Sequence, residues 1–245
     1  FKEVYMSHYT VMVFGNDPED QLAPYDENLE GCQNPKWDWY VLGGRWHGFF
    51  KAKDPSKIVN DLSGIFDEEI ENGYGDAMEK GNIDIKGMED EYIKECLEKY
   101  DEIVGIINHW IETNTKNGNV PSPKPWSYYQ NLVDNHILTL DEAKDLYEKK
   151  ESYINLLKDA GYVFWRDDPI ADYWAKTREE YLSDSLKHFM LPYAFVINGE
   201  WHALGEMGWF GFSYSENDFD TYYKEFWDTF NSLHDTLVSL FDCHI

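Results

Sequence analysis

Arginine is nearly absent: Arg45, Arg166 and Arg178 are the only three, and lysine supplies the other basic side chains. Any planar, two-pronged grip on a carboxylate or phosphate must therefore draw on those positions. Positive charge as a whole is short, with 21 Lys and Arg against 47 Asp and Glu and a formal net charge of −26. Such a surface repels phosphates, which excludes a general DNA- or RNA-binding protein. Cysteine is scarce too. Cys32, Cys96 and Cys243 are odd in number and far apart, which fits neither a disulfide framework nor a paired C-x-x-C metal site and suits a reducing compartment. No apolar run reaches the roughly 18 residues of a membrane span. No basic stretch followed by a long apolar one opens the chain, so no membrane partner and a cytoplasmic location are expected. The eight histidines include no H-E-x-x-H and no H-x-H, and G-x-S-x-G is missing as well. Neither a metal nor another cofactor is expected.

Aromatic residues are plentiful. Phe, Tyr and Trp make up 17% of the 245 residues, and 42% of the chain is hydrophobic, enough for a substantial core. Rings fill core volume at low entropy cost and also form flat walls for a base or sugar.

The pattern along the chain indicates an α+β protein: a mainly antiparallel sheet built from both chain ends, residues 1–80 and 190–245, with a mainly helical insertion at 81–189. Residues 8–14, HYTVMVF, are β-branched and aromatic and stop at Gly15-Asn16-Asp17-Pro18, the signature of a strand and turn. Trp37 to Leu42 and Trp46 to Lys51 flank Gly43-Gly44 and predict a tight hairpin, and Tyr193 to Ile197 and Glu200 to Leu204 around Asn198-Gly199 predict a second. Ser215, with Asp218 in the capping-box position, predicts a helix carrying Phe219, Tyr223, Phe226, Phe230 and Leu233; residues 236–242 close the chain as a strand expected to share a sheet with Val11. In the insertion, helical spacing runs through Ile93, Cys96, Leu97, Tyr100, Ile103, Val104 and Ile107. Thr139 with Glu142 caps a second helix through Leu146, Ile154 and Leu157, residues 172–188 suggest a third, and the Pro-rich stretch 120–125 is a connector.

Two glycine-rich segments carry the binding chemistry. In Lys36-Trp37-Asp38-Trp39-Tyr40-Val41-Leu42-Gly43-Gly44-Arg45-Trp46, strand alternation places Trp37, Trp39 and Val41 on one face and Asp38, Tyr40 and Leu42 on the other. Gly43 and Gly44 let backbone come close to something, and Arg45 emerges beside Trp46 either to meet an anionic ligand or to pair with a carboxylate such as Asp38. In Gly205-Glu206-Met207-Gly208-Trp209-Phe210-Gly211, accessible amides precede a helix, a natural place for an anion, although the Lys-Ser/Thr of a P-loop is missing. The candidate ligand-binding set is thus Trp37, Tyr40, Gly43, Gly44, Arg45, Trp46, Glu206, Gly208 and Trp209. His8, Asp242 and His244 meet if the first and last strands pair, and they are the candidate catalytic residues should the protein be an enzyme. Residues 67–102 hold 14 acids against 4 lysines, expected on exposed faces of a helix and its approach; they are either a solvated face or a mimic of a nucleic-acid backbone.

Met6-Ser7-His8-Tyr9-Thr10-Val11, Gln21-Leu22-Ala23-Pro24-Tyr25-Asp26-Glu27-Asn28, Lys36-Trp37-Asp38-Trp39-Tyr40 with Gly43-Gly44-Arg45-Trp46, Gly205-Glu206-Met207-Gly208-Trp209 and the terminal Asp242-Cys243-His244-Ile245, in this order, resemble a family of bacteriophage and prophage proteins without assigned function. Lys80-Gly81-Asn82-Ile83-Asp84 extends the likeness into an otherwise dissimilar middle. Members of that family begin at the equivalent of Met6, so Phe1 to Tyr5 is expected to be an upstream extension. The resemblance implies a viral setting in the host bacterial cytoplasm, where small acidic accessory proteins often blunt host defence; it brings no catalytic residues with it. Three readings follow. The first is an anti-defence protein that binds and sequesters a small nucleotide-like immune signal. The second is an enzyme that cleaves such a nucleotide, and the third an acidic inhibitor that binds a host defence protein. Self-association is compatible with all three.

Overall fold

β1 (His8–Phe14) occupies the residues that the sequence pattern assigns to it. The computed structural model describes residues 8–59, 72–162, 168–207, 213–214 and 217–245. After β1 come β2 (Trp39–Leu42), β3 (Phe50–Lys51), β4 (Tyr74–Gly75), β5 (Ala77–Glu79), β6 (Ala194–Ile197), β7 (Glu200–Ala203), β8 (Glu206–Met207), β9 (Ser213–Tyr214) and β10 (Leu237–His244). The main sheet runs β2-β10-β1-β6-β7, and β5 also pairs with β10. β10 is therefore flanked by β1 along its whole length, and by β5 and β2 in turn on its other edge. The β1–β6 pair is parallel and its strands have the helical insertion between them, as parallel neighbours need a long crossover.

Alternation gives the sheet two faces. Tyr9, Val11, Val13, Phe241 and Cys243 join Trp37, Leu42, Ala77, Ala194 and Val196 in one core cluster. On the other face Phe14 meets Phe195, Phe226 and Phe230 at ring-centroid distances of 5.8, 6.2 and 6.0 Å. Phe226 and Phe230 come from the helix Phe219–Ser232, whose buried positions Tyr222, Phe226 and Phe230 recur every four residues. Each buried ring contributes roughly 1.5–3 kcal/mol of apolar transfer. Asp218 itself is the N-cap of this helix, its carboxylate accepting from the Thr221 N–H at 3.0 Å, so it is not the third member of a box begun by Ser215. Ser215 lies outside the described residues.

The hairpin at Asn198-Gly199 forms, with φ of 53° and 77° at the two turn residues. The hairpin expected at Gly43-Gly44 does not. β2 pairs with β10 and β3 with β4, while Gly44–Trp46 is a single 3-10 turn. Gly43, at φ 68° and ψ −63°, makes a γ-turn that sends the chain away from β2, and its N–H is spent on the Leu240 carbonyl at 2.9 Å.

The chain divides into two compact units, residues 1–90 with 190–245 and residues 91–189, the division falling inside the helix Ile85–Asn114. In the second unit Tyr100, Ile103, Ile107 and Trp110 form a core with Tyr153, Ile154, Leu157, Ile170 and Tyr173. Thr139 and Glu142 make the expected reciprocal cap, but the helix ends at Lys150 and a separate one runs from Tyr153 to Asp159. The third helical stretch is a π-helical turn, Pro169–Trp174, followed by Arg178–Leu186 behind a Thr177–Glu180 capping box. Among the described residues no helix is long and apolar enough to cross a membrane.

Candidate functional site

The antiparallel register of β1 and β10 sets His8 opposite His244 and Thr10 opposite Asp242. Because adjacent strand residues point to opposite faces, these four share the face that Tyr9 and Cys243 leave. The His8 Nδ1 lies 2.7 Å from Asp242 Oδ1, and the His244 Nδ1 lies 2.5 Å from Asp38 Oδ1. The imidazole rings stand edge to face with centroids 5.1 Å apart. Trp39, opposite His244 in the β2–β10 register, stacks on the His244 ring at 5.2 Å and 16°, and meets His8 edge-on at 5.2 Å. A carboxylate that accepts from Nδ1–H fixes the tautomer and leaves Nε2 as the ring nitrogen without the proton. The His244 Nε2 is enclosed and has no hydrogen-bond partner among the described residues.

Gly43 and Gly44 make room for two buried carboxylates. A Cβ on Gly43 would lie 2.1 Å from Asp76 Oδ2, and one on Gly44 would lie 2.5 Å from the Asp242 side chain. Asp76 is fully buried; its Oδ2 meets the His47 Nδ1 at 2.8 Å and its Oδ1 accepts the Phe49 N–H at 3.1 Å. Asp242 is equally enclosed, and its Oδ2 accepts the Arg45 N–H at 3.0 Å. The turn that carries Arg45 is thus held at both ends by buried acids. Asp38 is taken by His244, and the exposed Arg45 guanidinium forms no ion pair among the described residues. Of the other arginines, Arg178 is engaged with both Asp101 oxygens at 3.0 Å and Arg166 lies outside the described residues.

The candidate ligand-binding residues are scattered between core and surface. Trp37 is in the core, its indole N–H donating to the Leu22 carbonyl at 3.1 Å, and its ring packs edge-on against Tyr40. Tyr40 is half-buried between Trp37 and Phe241. The strict alternation expected from Trp37 to Leu42 fails at its start because β2 begins only at Trp39, so Trp37 falls on the side of Tyr40 and Leu42. Trp46 is half-buried beside Arg45, and Glu206 is exposed in β8. Gly208 and Trp209 lie outside the described residues. His8, Asp242 and His244 are brought together, and the structure adds Asp38 and Trp39, which sequence reasoning did not place there. Their signal was the pairing of β2 with the chain terminus.

Cys243 lies between Asp242 and His244 on the opposite face. Burial, with the neighbouring Asp242 charge, pushes its thiol well above the ordinary range, so it is a core side chain and not a nucleophile at neutral pH. Among the described residues no group of three or more His, Cys, Asp or Glu side chains is arranged to hold a metal ion. The acidic stretch 67–102 is not a uniform exposed face. It contains the buried Asp76 and also Asp84, whose carboxylate accepts the Gly87 N–H at 3.0 Å. No family model, no curated protein and no solved structure matches the chain.

Proposed function

We propose that the end of the sheet holding His8, Asp242, His244 and Asp38 performs acid–base cleavage of a phosphate ester in a small nucleotide-like molecule. The observation that carries this reading is the His8–His244 register, which sets two imidazoles, each anchored at Nδ1 by a carboxylate, 5.1 Å apart. His8 takes a proton from an attacking water as its oxygen bonds to phosphorus and returns it to the leaving oxygen as the P–O bond breaks, while His244, whose Nε2 is enclosed, packs against the His8 ring and positions it. Arg45, exposed and carried on a turn whose backbone is bonded to Asp242, is the cation available to the phosphate oxygens. In the viral setting that the family resemblance suggests, the substrate is a signalling nucleotide of host defence.

A second reading, sequestration without cleavage, is favoured by the enclosure of His244 Nε2 beneath Trp39. Incubation of the protein with a panel of cyclic and linear nucleotides, followed by chromatography, separates the two. A new product that disappears in His8→Ala supports cleavage. Depletion of ligand that is released intact on denaturation means sequestration, and no change in any nucleotide sinks both.

A further inference from the structure

Asn-Gly occurs three times in the chain, at Asn72-Gly73, Asn117-Gly118 and Asn198-Gly199. The last two form the same turn: φ is 52° and 80° at Asn117 and Gly118, and 53° and 77° at Asn198 and Gly199. These angles do not separate the two turns; their surroundings do. The Asn198 turn is held from outside. Gly199 gives its N–H to the Gln21 Oε1 at 3.2 Å and its carbonyl accepts the Tyr25 hydroxyl at 2.8 Å, at the point where the β6–β7 ladder begins. Gln21 is itself fixed, its Nε2 donating to the Phe14 carbonyl at 3.1 Å. At Asn72-Gly73 the glycine is buried, and its carbonyl accepts the Ala52 N–H at 2.8 Å. The Asn117 turn has no comparable support. Residues 112–120 are exposed, and the turn is closed only by the reciprocal bonds of Lys116 and Asn119, at 3.2 and 2.9 Å. Beyond its chain neighbours, no atom lies within 4 Å of where a Cβ would stand on Gly118. Among the described residues, neither the Asn117 side chain nor the Gly118 N–H has a hydrogen-bond partner.

We propose that Asn117 is a modification site, converting spontaneously in water to aspartate and isoaspartate. Base removes the Gly118 amide proton, and the nitrogen, unshielded by any Cβ, attacks the Asn117 Cγ. The new N–Cγ bond closes a succinimide, and the Cγ–Nδ2 bond breaks as ammonia leaves with a proton from water. Water then opens the ring. Cleavage of the bond to Cγ gives aspartate, and cleavage of the bond to the backbone carbon gives isoaspartate. Ring closure requires Asn117 to rotate out of the turn, so its rate follows the population of the opened turn. Opening costs the Lys116–Asn119 pair at Asn117, whereas at Asn198 it also costs the bonds to Gln21 and Tyr25. The product carries an added negative charge, and isoaspartate inserts a methylene into the backbone, so the Lys116–Asn119 bridge cannot re-form in register. Nothing in this chemistry involves His8.

Incubation of the folded protein at mildly alkaline pH, followed by peptide mapping with fragmentation that distinguishes isoaspartate from aspartate, tests the assignment. The same chain in denaturant supplies the intrinsic rate of each Asn-Gly. Relative to those rates, Asn117 is expected to convert at least about tenfold faster than Asn198, the worth of the two bonds that hold only the latter. Gln21→Ala should speed conversion at Asn198 several-fold and leave Asn117 unchanged; Tyr25→Phe, which removes only a hydroxyl, should act in the same direction. A folded-state ratio of Asn117 to Asn198 no greater than the denatured one would overturn the proposal. So would an Asn117 that converts in denaturant and not in the folded protein, or an Asn198 that stays equally slow in both variants.

Discussion

Both units of the molecule bury carboxylates, and they satisfy them differently. At the sheet, Asp76 and Asp242 are each met by an imidazole nitrogen and a backbone N–H. In residues 91–189 the buried Glu151 is met by the Tyr129 hydroxyl at 2.6 Å. Phenols surround that acid, and burial raises them further: Tyr147 is pushed up to about 12, so it holds its proton throughout the neutral range. Imidazole is the side chain that trades protons near neutral pH. The difference teaches that burying an acid is compatible with either a static or a proton-exchanging site; the partner decides. Under the proposed function one unit turns such a pair to chemistry, whereas the other uses the same polar material to hold its fold together.

The widest separation between the two regions should come from removing one partner in each. His8→Ala is expected to slow nucleotide cleavage by about 10²–10⁴-fold, the usual worth of a general acid or base. Tyr129→Phe should leave the rate within about twofold, because it touches only the static network. Product formation followed by chromatography reads both, and equal losses would erase the distinction.

Arg45 gives the next effect. Truncation to Ala should weaken binding of a phosphorylated ligand by about 1.5–3 kcal/mol, and Arg45→Lys by less, since the ammonium keeps the charge and loses the fork. Exposed and without an ion pair among the described residues, the side chain should contribute under about 0.5 kcal/mol to the fold. Thermal melts with and without ligand should therefore show an unchanged apo Tm and a lost ligand shift. An early apo melt would make Arg45 a structural residue like those of the helical unit.

Glycine substitutions compare the regions in stability alone. Gly44→Ala forces a Cβ against Asp242 at a φ of +53°, and should destabilise by about 1–3 kcal/mol through overpacking and strain. Gly105→Ala, in the middle of the helix Ile85–Asn114 with nothing within 4 Å of the added atom, should instead stabilise by about 0.5–1 kcal/mol. Denaturant midpoints of opposite sign are the expected result; a harmless Gly44→Ala would show that Asp242 does not need the close approach.

The smallest effect belongs to the acidic stretch. Exchanging the exposed Asp90, Glu95, Glu98 and Glu102 for their amides should leave activity intact and shift stability by no more than about 0.5 kcal/mol for each. Loss of a protein partner in that variant, with the fold preserved, would move function from the sheet to this face.

Local chemistry was legible at several elements. β1, the Asn198-Gly199 hairpin and the Thr139–Glu142 cap each depend on neighbours within a few residues, so a short window of sequence specifies them. Gly43-Gly44 misled because two glycines answer two different needs with the same letters. A hairpin turn requires positive φ, and so does this turn, but here the missing Cβ atoms also admit Asp76 and Asp242. Trp39 went unrecognised as the cover of His244 for a related reason, since where β2 starts is set by its pairing with β10 and not by its own pattern.

The sequence by itself determined the charge, the supply of rings, the caps, the single arginine at a glycine pair and the two chain ends able to form strands. Only the tertiary structure decided which imidazole meets which acid. His8 and Asp242 are 234 positions apart, and His244 and Asp38 are 206 apart. Such pairs arise because the hydrogen-bond register of β10 between β1 and β2 fixes every side chain along it to one face and one opposite neighbour. A slip of one residue between β1 and β10 would turn His8 away from Asp242 and His244 without altering a single local preference.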